Sequence, residues 1–481
     1  MEFSPERKHV LYRVTRALGK VGLGIFFQRV EVRHPERIPA AGPAIFVANH
    51  PNSIMDALVL GVALPRKVNY IAHAGLFRPA VVDWFLRNCG VIPVHRRQDD
   101  PGKMEQNAAT FQSCYETLEK GETIGIFPEG TSDMLRKVKK VKTGAARIVL
   151  EAEARNGYDL GVQLVPLGLH FFSRSRFRSR VLVNIGEAIP LVKYFTRYHT
   201  DPAAGVTALT QEIQSRLEKL TVNIRDDELD DFVRDLERIY RAELKAEWRG
   251  AGVASSGFQE FLLTQKIAEC VQYFQEKNPA RLNFIRDQIA AYQRKLARLH
   301  MRDEWLRDGA LRRRAWREGW KAAATAVLGF PPALYGMINH AIPYFIAENA
   351  ARKFLNERTK ILTALLLAGG MAFVFFYTMQ IALVFNWLGW AWAGLYAISL
   401  PCSGFYALSY LKSLRAYREQ AGFSLFRLTN RNLIQRLRLQ RRRLITVIDQ
   451  ARDEYVAAQQ GANETGSIQH LAPSVRSSSE K

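Results

Sequence analysis

The stretch AIFVANHPNSIMDALVL, residues 44–60, sets an imidazole and a carboxylate six positions apart, where an apolar run gives way to a helical pattern. An apolar core needs neither group. His50 and Asp56 are the residue types of proton-transfer chemistry. A carboxylate that accepts from one ring nitrogen fixes the tautomer, favours the imidazolium and leaves the other nitrogen to take a proton from a hydroxyl. An isolated pair has a plainer explanation, a strand cap and an acid that complements a helix dipole. This pair is followed by three more polar endings of apolar runs. GVIPVHRRQD (90–99) ends in Arg96 and Arg97. IGIFPEGTSDM (124–134) runs into Pro128, Glu129 and a Gly130-Thr131-Ser132 turn, whose amides and hydroxyls suit an anion. VQLVPLGLHF (162–171) carries Pro166, which a fully paired strand excludes, so an edge position or a neighbouring site is expected.

Elements that can hold these groups are legible around them. AIFVAN (44–49), VNYIA (68–72), TIGIFP (123–128), VQLVPLGL (162–169) and VLVNIG (181–186) read as strands, with helices near 57–64, 79–88, 104–120 and 143–156. The alternation predicts an α/β domain over 40–200 with a mixed sheet flanked by helices. Asn52 or Ser53 caps the helix that carries Asp56.

These four segments, in order across residues 44–170, resemble the four sequence blocks of the glycerolipid acyltransferases of the bacterial lysophosphatidate acyltransferase type. The resemblance implies that His50 and Asp56 are catalytic and that Arg96 holds the glycerol phosphate. It also implies that Glu129, Gly130, Thr131 and the adjoining Ser132 bind substrate, and that Val165 and Pro166 serve the acyl-chain pocket or the site's architecture. Two departures stand out. Five residues, Pro51 to Met55, separate His50 from Asp56, where the family has four. The family's E-G-T-R-S is E-G-T-S-D here, so an arginine is missing. Arg97, Arg136, Lys137, Lys139, Lys140 and Lys142 are the nearby cations, with Arg97 and Lys142 as phosphate-binding candidates.

The implied reaction moves a fatty acyl group from acyl-CoA or acyl carrier protein to a hydroxyl of a glycerol phosphate or lysophosphatidate. Glycerol 3-phosphate or dihydroxyacetone phosphate is the alternative acceptor. No metal or redox cofactor is expected, and no acyl-enzyme on Cys89, which reads as a small core residue.

The rest of the chain points to lipid. The net charge is +22 over 481 residues, which favours anionic partners: headgroups, phosphorylated substrates or an acidic protein, with nucleic acid not expected. Ile361–Leu411 has no Asp, Glu, Lys or Arg over 51 residues. As one helix that segment would reach roughly 76 Å, against a bilayer core of about 30 Å, so a two-helix transmembrane hairpin over 361–411 is expected, broken near Asn386 and Gly389. Basic residues on both flanks place both in the cytosol, and the expected location is a bacterial inner membrane.

Residues 322–348, without charge as far as Ala347 and interrupted by Pro331, Pro332 and Pro343, read as re-entrant or interfacial. Residues 1–39 read as a lead-in containing an amphipathic membrane-surface helix, with Val10, Leu11, Val14, Leu18, Val21, Leu23, Ile25 and Phe26 at helical spacing. Residues 201–321 read as a mainly α-helical domain, 412–458 as a basic cytosolic helix and 459–481 as a disordered tail. Cys89, Cys114, Cys270 and Cys402 form no C-x-x-C, which indicates a reducing compartment and neither a disulfide framework nor a zinc site. A non-catalytic, membrane-anchored interaction protein is the competing class. Its LRLQRRR stretch would dock acidic carrier protein or anionic lipid, although a charge run by default faces solvent or headgroups.

Overall fold

The structure is a computed structural model that describes residues 5–78, 80–95, 102, 105, 107–133, 135–173, 177–224, 226–250, 256–307, 325–352 and 361–464. Seven strands form one sheet: β1 (Phe27–Arg33), β2 (Ala44–Ala48), β3 (Asn69–His73), β4 (Ile92–Val94), β5 (Thr123–Ile126), β6 (Gln163–Phe171) and β7 (Ser179–Ile185). Their order is β1-β7-β6-β2-β5-β3-β4. All neighbours are parallel except β6 and β7, so the sheet is mixed, as expected. β2 is buried along its whole length, as a strand covered on both faces must be.

Alternate residues of β2 serve two cores. Ala44, Phe46 and Ala48 pack with helices α1 (Pro5–Phe26) and α2 (Ile54–Ala63). Ile45 and Val47 pack instead with α4 (Asn107–Glu119) and α5 (Gly144–Arg155), which follow α3 (Ala80–Asn88).

One of the two alternatives for Pro166 fails here. Pro166 sits in an interior strand, not at an edge: it pairs in parallel with Val47 of β2, and β7 lies on its other side. The antiparallel ladder with β7 begins only at Leu167, opposite Ile185. The missing N–H of proline therefore falls just outside that ladder, while the Pro166 carbonyl still accepts from Gly186 N–H at 2.8 Å.

Helices α6 (Val192–Thr200), α7 (Pro202–Leu220), α8 (Asp227–Gly250), α9 (Gly257–Lys277) and α10 (Pro279–Arg298) follow the sheet. Three apolar helices come next: α11 (Phe330–Arg352), α12 (Ile361–Leu388) and α13 (Trp390–Thr429). The chain ends in α14 (Arg431–Glu464), which returns to the helical domain, where Ile434, Leu444 and Ile448 share a core with Phe232, Phe261 and Tyr292. Arg441, in the basic run, is buried there and not a docking cation. Its Nε lies 2.8 Å from Asp303 Oδ1 and its Nη2 lies 2.9 Å from Glu243 Oε1.

Among the described residues, Leu365–Leu388 is the one helical stretch long and apolar enough by composition to cross a membrane. α12 and α13 are separated only by Gly389, at φ +83°, a conformation that glycine adopts without penalty. α1 turns Leu23 and Phe26 into the domain and leaves Val10, Val14, Leu18, Val21 and Ile25 as an exposed apolar stripe.

Candidate active site

The parallel strands all deliver their carboxyl ends to one side, where open α/β sheets collect their functional residues. β2 ends at Ala48, and His50 follows two residues later. The imidazole Nδ1–H donates to Asp56 Oδ2 at 2.8 Å, and the same oxygen accepts from Asn52 N–H at 2.7 Å. Asp56 is completely buried, whereas the His50 side chain keeps 19% of its surface at a polar cleft shared with Glu129, Lys137 and His170. An ionised carboxylate only accepts, so Nδ1 carries the proton and Nε2 is left as a base.

Of the five residues between His50 and Asp56, Ser53 has the unusual backbone. This residue precedes α2 with φ 53° and ψ −134°, a region in which L-residues are strained. The helix therefore starts at Ile54 and Asp56 still faces the ring.

The turn after β5 grips His50 from the other side. Glu129 Oε1 accepts from His50 N–H at 2.9 Å, and Asp133 N–H donates to the His50 carbonyl at 3.1 Å. Glu129 Oε2 accepts from Lys139 N–H at 3.1 Å, so both carboxylate oxygens hold backbone. Burial pushes the Glu129 carboxyl above its ordinary value, while these two N–H donors pull the other way. Phe127 stacks on the His50 ring with centroids 4.2 Å apart and planes 15° from parallel, and Tyr70 stacks in turn on Phe127. Asn49, buried, exchanges two hydrogen bonds with the Leu169 backbone (3.1 and 2.7 Å), which ties the end of β2 to β6.

Cations stand around the same turn. Gly130 has φ +71°, and a Cβ there would lie 2.5 Å from Lys142 Nζ, so the Lys142 ammonium occupies the space a side chain would fill. Lys139 Nζ pairs with Asp133 at 2.9 Å and reaches Thr131 Oγ1 at 3.4 Å. Thr131 and Ser132 are half-buried on the turn. Arg136 is committed elsewhere. It is buried between Asp230 (2.5 Å) and Glu237 (3.1 Å) of α8, and so is an anchor for the loop and not a substitute for the missing arginine. Two more bonds hold that loop to the helical domain, Val138 N–H to Asn223 Oδ1 at 3.0 Å and Val141 N–H to Gln214 Oε1 at 2.8 Å.

Arg96 and Arg97 lie outside the described residues. The strand end before them is fixed by Asn107, which accepts from His95 N–H and donates to the His95 carbonyl, both at 2.9 Å. Cys114 is fully buried, and burial pushes its thiol up to about 12, too high for a nucleophile near neutral pH. Burial likewise raises the Cys89 thiol.

The sequence reading missed Phe127 and Asp133 as supports of His50, and Asp230 and Glu237 as partners of Arg136. For Phe127 the signal was present, an aromatic residue directly before the Pro-Glu-Gly turn. For the acids of α8 there was none, because 94 and 101 residues separate them from Arg136.

The sequence pattern of the Acyltransferase family matches residues 29–170. The glycerol-3-phosphate O-acyltransferase 2 of Saccharomyces cerevisiae is 35% identical over 136 residues, 28% of this chain and 18% of that protein. A chloroplastic 1-acyl-sn-glycerol-3-phosphate acyltransferase of Arabidopsis thaliana is 25% identical over 168 residues, 35% of this chain and 43% of that one. The 1-acyl-sn-glycerol-3-phosphate acyltransferase of Borreliella burgdorferi is 26% identical over 224 residues, 47% of this chain and 78% of that one. The chain thus spans less than half the length of the yeast and plant relatives. The crystal structure of the 1-acyl-sn-glycerophosphate acyltransferase PlsC of Thermotoga maritima superposes with a TM-score of 0.34 at 21% identity, covering 46% of this chain and 83% of that one. Residues 29–170, the segment that brings His50, Asp56 and Glu129 together, are thus similar to the Acyltransferase family.

Proposed function

We propose that the protein transfers a fatty acyl group from an acyl thioester, acyl-CoA or acyl carrier protein, to a hydroxyl of glycerol 3-phosphate or lysophosphatidate at a membrane surface. The observation that carries this reading is the 2.8 Å contact of His50 Nδ1 with a fully buried Asp56 at the rim of a polar cleft. An alcohol is a weak nucleophile near neutral pH. His50 Nε2 takes its proton as the oxygen attacks the thioester carbonyl, and the imidazolium so formed is stabilised by Asp56. Attack yields a tetrahedral oxyanion, which this reading assigns to amides of the turn beyond Gly130, whose own N–H donates to the Phe127 carbonyl at 3.1 Å. Collapse breaks the carbon–sulfur bond, and the leaving thiolate recovers the proton from His50.

Lys142, over Gly130, and Arg96 bind the phosphate of the acceptor and orient its hydroxyl. The reading also assigns α12 and the apolar first half of α13, to Leu411, as a transmembrane hairpin with both flanks cytosolic, so that amphiphilic substrates and products need not leave the lipid. The apolar stripe of α1 lies on the same bilayer.

The test is direct. Purified full-length protein in lipid vesicles is given radiolabelled acyl-CoA or acyl carrier protein with, in turn, glycerol 3-phosphate, dihydroxyacetone phosphate and lysophosphatidate. Acylation of at least one phosphorylated acceptor is expected. Failure with every donor and acceptor pair, from protein that retains its thermal transition, rejects the assignment.

A further inference from the structure

The three apolar helices connect two segments of a single core. Leu306, before them, and Phe423, after them, belong to the cluster that also holds Tyr292 and Leu444. The chain leaves and re-enters one body, so the number of bilayer crossings between those residues is even, and at most two of the three helices cross. The neighbours of α11 show which one does not.

α12 and α13 meet at Gly389, the tip of the hairpin. Just before α11, the Ala326 carbonyl accepts from Tyr410 Oη at 2.7 Å, and Tyr410 is twenty residues, roughly 30 Å, from Trp390. Near the other end of α11, Ala347 packs against Gly369, nineteen residues, roughly 28 Å, from Leu388. In the middle, Asn339 Oδ1 accepts from Tyr396 Oη at 2.5 Å, and Tyr396 is only six residues, roughly 9 Å, from Trp390. Closer to the backbone, Gly336 closes on Ser403 and His340 abuts Gly404, thirteen and fourteen residues, roughly 20 Å, from Trp390, so both ends of α11 lie toward the base of the hairpin and its centre lies deeper, short of the tip.

Pro343 stands inside α11, at the kind of position where a helix bends. It has no N–H, so the Asn339 carbonyl four residues earlier loses its helical partner, and Gln380 Nε2 donates to that carbonyl instead at 3.1 Å. His340, on the same stretch, is satisfied by Tyr377 Oη at 2.7 Å and by the Gly336 carbonyl at 2.6 Å. Gly336 lets α11 close onto the Ser403 carbonyl, where a Cβ would be 2.3 Å away. The Asn339 carbonyl and the His340 ring are thus paired inside the helix cluster, as backbone and side chains at membrane depth require.

We propose that α11 is a re-entrant membrane helix that dips into the bilayer from the side of the α/β domain, bends at Asn339–Pro343 and returns to that side. Lipid covers its exposed Leu334, Ile338, Ile342 and Phe345. That apolar surface continues onto exposed Val374 and Phe375 of α12, a helix long and apolar enough to cross a membrane, and onto Leu395 and Ile398 of α13. The proposal rests on reading α12–α13 as a membrane hairpin.

Single cysteines at Val327→Cys, Arg352→Cys, Trp390→Cys and Arg418→Cys, in the full chain with its four native cysteines replaced, test it. All four sites are exposed. Sealed vesicles are treated with a membrane-impermeant maleimide from outside and, in inverted preparations, from inside. Positions 327, 352 and 418 should label from one face and 390 from the other. Opposite faces for 327 and 352 would overturn the re-entrant helix while leaving the hairpin intact. Labelling of 390 and 418 from one face would remove the hairpin, and the proposal with it. Neither result bears on acyl transfer, which is measured separately.

Discussion

Phe127 lies flat against the imidazole of His50, 4.2 Å between centroids and 15° from parallel. The ring blocks one face of the imidazole and limits its rotation, which helps to keep the Asp56 contact. Once His50 takes a proton, the same π-face stabilises the cation, an effect of about 0.5–2 kcal/mol. Phe127→Leu should therefore lower kcat by roughly tenfold and leave KM for acceptor nearly unchanged, with the pH–rate profile displaced, because leucine keeps the bulk and loses the quadrupole. A change confined to KM would place Phe127 in substrate binding.

Glu129 spends both oxygens on backbone N–H groups, those of His50 and Lys139. Only the deprotonated carboxylate accepts at both. Glu129→Gln would turn an NH2 group towards one of those donors, so kcat should fall by more than tenfold. Burial raises the carboxyl above its ordinary value, so wild-type protein should lose this contribution to activity on acidification from a pH above the usual carboxylate range. The activity-against-pH curves of wild type and variant are the check: the variant should lack this acid limb.

At Gly130 the backbone conformation and the space are both demanding. Gly130→Ala would place a methyl 2.5 Å from Lys142 Nζ at φ +71°. The expected result is displacement of the ammonium and a several-fold rise in KM for phosphorylated acceptor, with a smaller effect on kcat. Lys142→Met should reproduce the KM effect.

Arg136 is held between Asp230 and Glu237, all three nearly buried. Arg136→Met leaves two acids without their cation, and breaking a buried pair from one side costs about 3–5 kcal/mol. A correspondingly lower midpoint in chemical unfolding is expected, accompanied by loss of activity as the 131–142 loop slackens. An Arg136 variant with wild-type stability and a raised acceptor KM would instead make it a phosphate ligand.

The sequence showed most clearly what is local. Strands β2, β3, β5, β6 and β7 lie within two residues of where apolar runs placed them, and α2 to α5 within three of theirs. β4 is only three residues long and has no periodicity to read, and β1 follows directly on an amphipathic helix whose apolar pattern runs into it. Pro166 misled because the edge argument assumes a strand paired along its full length. Here the proline sits one residue before the second ladder starts. The relation of His50 to Asp56 was readable from six positions of sequence, but the unusual conformation of Ser53 between them required the backbone. Arg136 looked like one more basic residue of a basic loop. Its role depends on α8, and no local pattern reports a partner from another part of the chain.

The central claim is that His50 is the base in acyl transfer. Purified wild type and His50→Ala, matched for thermal transition and vesicle incorporation, are compared in the labelled thioester assay with the best acceptor from the panel. A positioned general base contributes typically about 10²–10⁴-fold, so the variant should lose activity on that scale. Turnover within tenfold of wild type would contradict the account.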